Sequence, residues 1–142
     1  MRLWHKDLIM YLPDKQILGQ WRECCAIARN IKDNGTPNHI LVNRIMDYPL
    51  VHFHMYGFFI FLEMQRRGFN ADLSNFDQHF SIDGLKYVSY DSMFKDWHDI
   101  RYLIQCFYNL QEKYDCGGIP NEQWMTVVEG YKQACMRLTA VP

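Results

Sequence analysis

Between Pro49 and Gly68 the chain carries LVHFHMYGFFIFLEMQRR, and this stretch limits the fold more than any other. Bounded by proline in front and glycine behind, it reads as a helix over residues 50–67. Its apolar residues fall on nearly all sides instead of along one stripe, so the helix belongs at the centre of a core. Arg66 and Arg67 suit a last turn, where cations face the negative end of the helix dipole, and Gly68 suits the position just beyond it. The most apolar run, MYGFFIFL at 55–62, is far too short for the roughly 30 Å of a bilayer core. The opening MRLWHKDL has no long apolar run of the kind a signal peptide needs.

The flanking segments supply partners for that helix. In LPDKQ, Pro13 suits an early helical position and Asp14 the positive end of the dipole. Ile17, Leu18, Trp21, Cys24, Cys25, Ala28 and Ile31 then make one apolar stripe, which DNGTPN ends. A short helix is predicted over 39–46 with Asn38 as its N-cap. Residues 69–90 are irregular, and FSIDGLKYVSY reads either as a small hairpin around Asp83-Gly84 or as loop. Trp97, Ile100, Leu103, Ile104, Phe107 and Leu110 predict a third long helix over about 92–114, which DCGG stops. IPNEQW opens a fourth, with Trp124, Val127, Val128, Tyr131, Cys135 and Leu138 on its apolar face. The expected fold is mainly α: one compact domain over residues 1–142, a bundle of about four helices with a small irregular or hairpin segment near 78–90. At 142 residues and 49% hydrophobic, the chain has the material for such a core.

Charge and cysteine usage narrow the chemistry. Formal net charge is −1, from 15 Lys and Arg against 16 Asp and Glu, so a nucleic-acid grip would have to come from a local basic patch. The five cysteines include neither CxxC nor zinc-finger spacing and read as reduced, mostly buried thiols of a cytoplasmic protein. Cys24 and Cys25 lie on the apolar side of their helix, which favours inert core thiols over a nucleophile. His52 and His54, two apart on a helix, point to different sides and would not chelate one metal together. No metal is expected. The aromatic residues between Phe53 and Phe61 read as core before they read as a base-stacking platform.

In GQWREC, residues 19–24, Arg22 and Glu23 stand together in the first helix. On a helical wheel the stripe centres near Trp21 and Ala28, and Glu23 points well away from it. Lys15, Arg22 and Arg29, each seven apart, share another flank. Such a surface is either a solvated face, whose charge pairs contribute little, or an active site.

MRLWH, LPDKQILGQWRECCA and RRGFN, in this order and spacing, resemble the pyrimidine-dimer DNA glycosylase family, the endonuclease V type of phages and bacterial relatives. IPNE at 119–122 looks like the start of that family's last helix. The resemblance implies an all-α enzyme without cofactor, acting as a monomer on double-stranded DNA with damaged pyrimidines. The N-terminal α-amine would attack C1′ of the damaged nucleotide, the base would leave, and a Schiff base would permit β-elimination. An α-amine titrates at about 8, well below a lysine, so an appreciable part is neutral near neutrality. Residue by residue, the resemblance makes Met1 the nucleophile, Glu23 the catalytic carboxylate, Arg22 a phosphate-binding arginine and Arg2 the arginine beside the nucleophile. It places the family's second helix arginine at Ala26, with Arg29 one turn further on, and relates His39 to a histidine before the central helix. If DNA binds, Arg2, Lys6, Lys15, Arg22 and Arg29 should share one face. The competing readings are a non-enzymatic helical protein that kept the fold and binds protein or nucleic acid, and an enzyme of altered substrate range.

Overall fold

Helix α2, Leu50–Arg66, buries eleven of its residues, among them Phe53, Tyr56, Ile60 and Met64. It ends as its sequence dictates. Gly68 has φ +78°, its N–H donates to the Gln65 carbonyl, and the Phe69 N–H donates to the Met64 carbonyl, both at 2.9 Å. That pairing is the Schellman closure, for which a residue without Cβ is best suited. The computed structural model describes residues 1–81 and 84–140. The other long helices are α1 (Asp14–Asn34), α4 (Ile100–Asp115) and α5 (Asn121–Thr139); α3 (Ser74–Asp77) is a single turn. Two 3-10 helices, Lys6–Tyr11 and Asn43–Asp47, complete the helical elements among the described residues. The protein is mainly α. None of the described helices is long and apolar enough to cross a membrane.

The chain divides into two compact units, Met1–Leu3 with Leu18–Phe94 and Trp4–Ile17 with Lys95–Pro142. In the first, α2 packs through aromatic contacts. Trp21 of α1 lies 5.7 Å from Phe61 and 5.9 Å from Phe76, and Phe53 meets Phe76 edge-on at 5.5 Å. Gly57 makes the closest approach: a Cβ there would stand 2.2 Å from the Phe76 ring, so α3 reaches α2 only because residue 57 has no side chain. Glu63 and His54 are two of the buried polar groups in this unit. Glu63, 4% exposed, is bonded by Arg66 and, at 2.9 Å, by Arg67. Burial pushes its carboxyl upward, but the hydrogen bonds and charges of the two arginines outweigh that and hold it below the usual range. His54 Nε2 meets Asp77 Oδ1 at 2.8 Å, tying α3 to α2.

The second unit joins the Lys6–Tyr11 helix to α4 and α5. Tyr114 stacks on Trp124 at 4.9 Å, Phe107 meets Tyr131 edge-on at 3.8 Å, and Gly130 leaves room for Tyr11. The Lys6 N–H donates to His98 Nδ1, and His5 packs against the His98 ring at 5.1 Å. Burial lowers the His5 imidazole to about 4, so it is neutral at neutral pH.

The structure corrects several sequence expectations. The third long helix starts at Ile100 instead of 92. Phe94 and Asp96 hold φ of +53° and +73°, which no right-handed helix accommodates, and the Phe94 N–H is taken by His52 Nδ1 at 3.0 Å. Asp99 caps the late start by accepting from the Tyr102 N–H at 2.9 Å. Asn38 is left-handed, with φ +59°, and caps nothing: 40–42 is a turn followed by the Asn43–Asp47 3-10 helix. Of the two readings of the segment near 78–90, hairpin or loop, the described residues show no strand, and Asp83 lies, with Ile82, outside them.

Candidate active site

The N-terminal tripeptide belongs to the same unit as most of α1 and all of α2. Leu3 is fully buried, and the Gln20 side chain fastens the backbone just before it. Gln20, 1% exposed, donates through Nε2 to the Arg2 carbonyl at 2.9 Å and to Glu23 Oε2 at 3.3 Å. Its Oε1 accepts from the Tyr56 hydroxyl at 2.9 Å. This partner set fixes the amide orientation, because a flipped amide would face its oxygen to a carbonyl and a carboxylate. One buried side chain therefore connects the chain start, the candidate carboxylate and the central helix.

Around this anchor the candidate groups stay accessible. Met1 is exposed, Arg2 and Glu23 are half-buried, and Arg22 is exposed. The Glu23 carboxylate accepts a hydrogen bond from the buried Gln20 side chain while remaining partly open to solvent. Arg22, Ala26 and Arg29 follow one another along the adjacent flank of α1. Together with Trp21, Cys25, Asn75, Gln78 and His79 they line an open depression of about 380 Å³. Its guanidinium, amide and imidazole groups suit a phosphate-bearing strand. Lys32 Nζ donates to the Gln78 carbonyl at 3.3 Å, which ties the far wall to α1.

Not every candidate residue joins this arrangement. Lys15 is exposed but belongs to the other unit, where it lines a separate depression with Asp14, Gly118 and Gln123. Lys6 is 5% exposed, which removes it from any DNA-facing surface. His39 frames a turn: its Nδ1 accepts from the Leu41 N–H at 3.2 Å and its own N–H donates to Asn43 Oδ1 at 3.0 Å. Burial pushes the Cys24 thiol well up and the Cys25 thiol to about 11, so neither is a thiolate at neutral pH. His52 and His54 face Phe94 and Asp77 respectively. Among the described residues no three His, Cys, Asp or Glu side chains are grouped to hold a metal ion.

Gln20 is the site residue that sequence reasoning missed, since it looks like any polar residue of an amphipathic helix. Gln20→Leu keeps the size but removes the bonds to Arg2, Glu23 and Tyr56. The expected loss of stability is on the order of 1–3 kcal/mol, measured by urea unfolding. Unchanged stability would mean that the three bonds contribute nothing net.

No curated protein and no solved structure matches the chain. Residues 1–77 match the family model described as pyrimidine dimer DNA glycosylase. The match spans more than half of the sequence and takes in the pinned terminus, the whole of α1 and the whole of α2, so the chain belongs to the pyrimidine dimer DNA glycosylase family.

Proposed function

We propose that the protein excises damaged pyrimidines from double-stranded DNA and cuts the strand at the resulting site, with the Met1 α-amine as nucleophile. The observation that carries this reading is the Gln20 anchor, which holds the Arg2 backbone and the Glu23 carboxylate on one amide nitrogen while Met1 stays exposed. A nucleophile at a chain terminus needs such pinning, because a free end samples too many positions for an efficient reaction.

In the proposed sequence the nitrogen lone pair attacks C1′ and the glycosidic bond breaks. Its electron pair leaves with the base, which takes up a proton. Glu23 stabilises the positive charge that builds on the sugar and relays protons as the ring opens to an imine. Loss of a C2′ proton then expels the 3′ phosphate by β-elimination. Arg2 and Arg22 hold phosphates beside the reacting sugar, with Arg29 one step further along the strand. Bringing the sugar to the amine requires extrusion of a nucleotide from the duplex. The chemistry uses no metal or cofactor, and a monomer suffices for it.

An end-labelled duplex with a single thymine dimer tests the reading. The expected result is scission at the dimer. An intact strand in both the dimer duplex and an abasic duplex would overturn the proposal. Scission of the abasic duplex alone would keep the lyase step and reject the lesion.

A further inference from the structure

The segment 75–79 divides its side chains between two tasks. Phe76 is fully buried, its ring 5.9 Å from Trp21 of α1 and closed on Gly57 of α2. Asp77 Oδ1 meets His54 Nε2 of α2 at 2.8 Å. These two residues hold the segment against the two long helices. Asn75, Gln78 and His79, at i, i+3 and i+4, share another face. The turn stays closed as far as His79, whose N–H donates to the Phe76 carbonyl at 3.3 Å. All three line the depression of about 380 Å³, whose other polar groups are Arg22 and Arg29 of α1.

The chemistry of this depression is one-sided. No carboxylate lines it: Trp21, Cys25 and Ala26 add no charge, and the rest is two guanidiniums, two amides and an imidazole. Among the described residues, none of these five polar side chains makes a hydrogen bond or an ion pair with the protein. Uncommitted donors on an anchored backbone suit an anion with several acceptor oxygens. We propose that Asn75, Gln78 and His79 form the second wall of a nucleic-acid track, hydrogen-bonding the phosphodiester strand that Arg22 and Arg29 hold from α1. The inference rests on the reading of this protein as a DNA glycosylase and adds binding residues to it. A free phosphate shares the chemistry, but Arg22 and Arg29, seven residues apart, stand about 10.5 Å from each other along the helix. That spread suits successive phosphates of a strand better than one small anion. Phosphate contacts position a strand without reading its bases, so the wall acts on affinity and not on the choice of lesion.

The test measures binding to a duplex with an uncleavable abasic site and scission of a cleavable one. Asn75→Ala/Gln78→Ala/His79→Ala removes the donors and leaves Phe76 and Asp77 in place, so its melting curve should match that of the parent. Its affinity for the duplex should fall roughly ten-fold or more. Scission should fall with it at limiting protein and recover at saturating protein, since a contact made equally in ground and transition states acts on KM and not on kcat. Gln78→Lys and Gln78→Glu form a second pair at one exposed position. Affinity should rise with the lysine and fall with the glutamate, and the gap should narrow in high salt. A triple variant that binds as the parent does, or a Gln78 pair of equal affinity, would overturn the wall. So would His79 ring signals in NMR spectra that move with inorganic phosphate but not with duplex, which would mark a free-anion site. A parent that shows these binding effects yet cuts neither a dimer nor an abasic duplex would reject the glycosylase reading and leave the wall standing. A parent with no affinity for duplex DNA would overturn both.

Discussion

Glu23→Gln is expected to reduce glycosylase turnover by roughly 10²–10³-fold or more while leaving the fold intact. The substitution keeps the side chain's length and shape. Its amide oxygen can still accept from Gln20 Nε2, so the link that now spans 3.3 Å need not break. What disappears is the negative charge, and that charge matters most when positive charge develops on the sugar and the attached amine. Single-turnover rates on a dimer duplex, alongside a melting curve, separate chemistry from folding. A rate within a few-fold of the parent, with a normal melt, would remove Glu23 from the mechanism.

Blocking the α-amine should have an effect at least as large. An acetylated terminus is an amide, whose nitrogen lone pair is delocalised and cannot attack C1′. The other contacts of the site are untouched: Gln20 bonds the Arg2 carbonyl, not the terminal nitrogen. Acetylation should therefore abolish strand scission while leaving DNA affinity and its salt dependence nearly unchanged. An N-terminal tag should act likewise, by burying the amine within a longer chain. Scission by an acetylated protein would transfer the chemistry to a lysine and reject Met1.

The comparison of sequence and structure shows which physics is local. Helix α2 was legible almost to the residue, because an all-round apolar stretch between Pro49 and Gly68 has both its burial and its ends written into adjacent residues. The start of α4 was not. Trp97 fits the helical period of Ile100 and Leu103, yet Phe94 and Asp96 are left-handed, and the Phe94 N–H is bonded to a histidine 42 residues earlier. Asn38 looked like a cap, but the oxygen that receives the His39 N–H comes from Asn43. In the candidate site, Arg22 and Glu23 stood out as neighbours in the chain and through the family resemblance. Gln20 did not, because two of its partners, Arg2 and Tyr56, lie 18 and 36 residues away. Lys6 was grouped with the basic residues by its type alone, whereas the fold buries it in the second unit.

The central claim, that the chain's own terminus is the nucleophile, is tested most directly by borohydride reduction in the presence of an abasic duplex. An imine between the protein and the opened sugar is reduced to a stable secondary amine, and peptide mapping then locates the modified nitrogen. The account predicts a covalent adduct on the α-amine of Met1, or of Arg2 if the methionine is removed. An adduct on Lys15 or any other lysine, or no adduct from a protein with a free terminus, would contradict it.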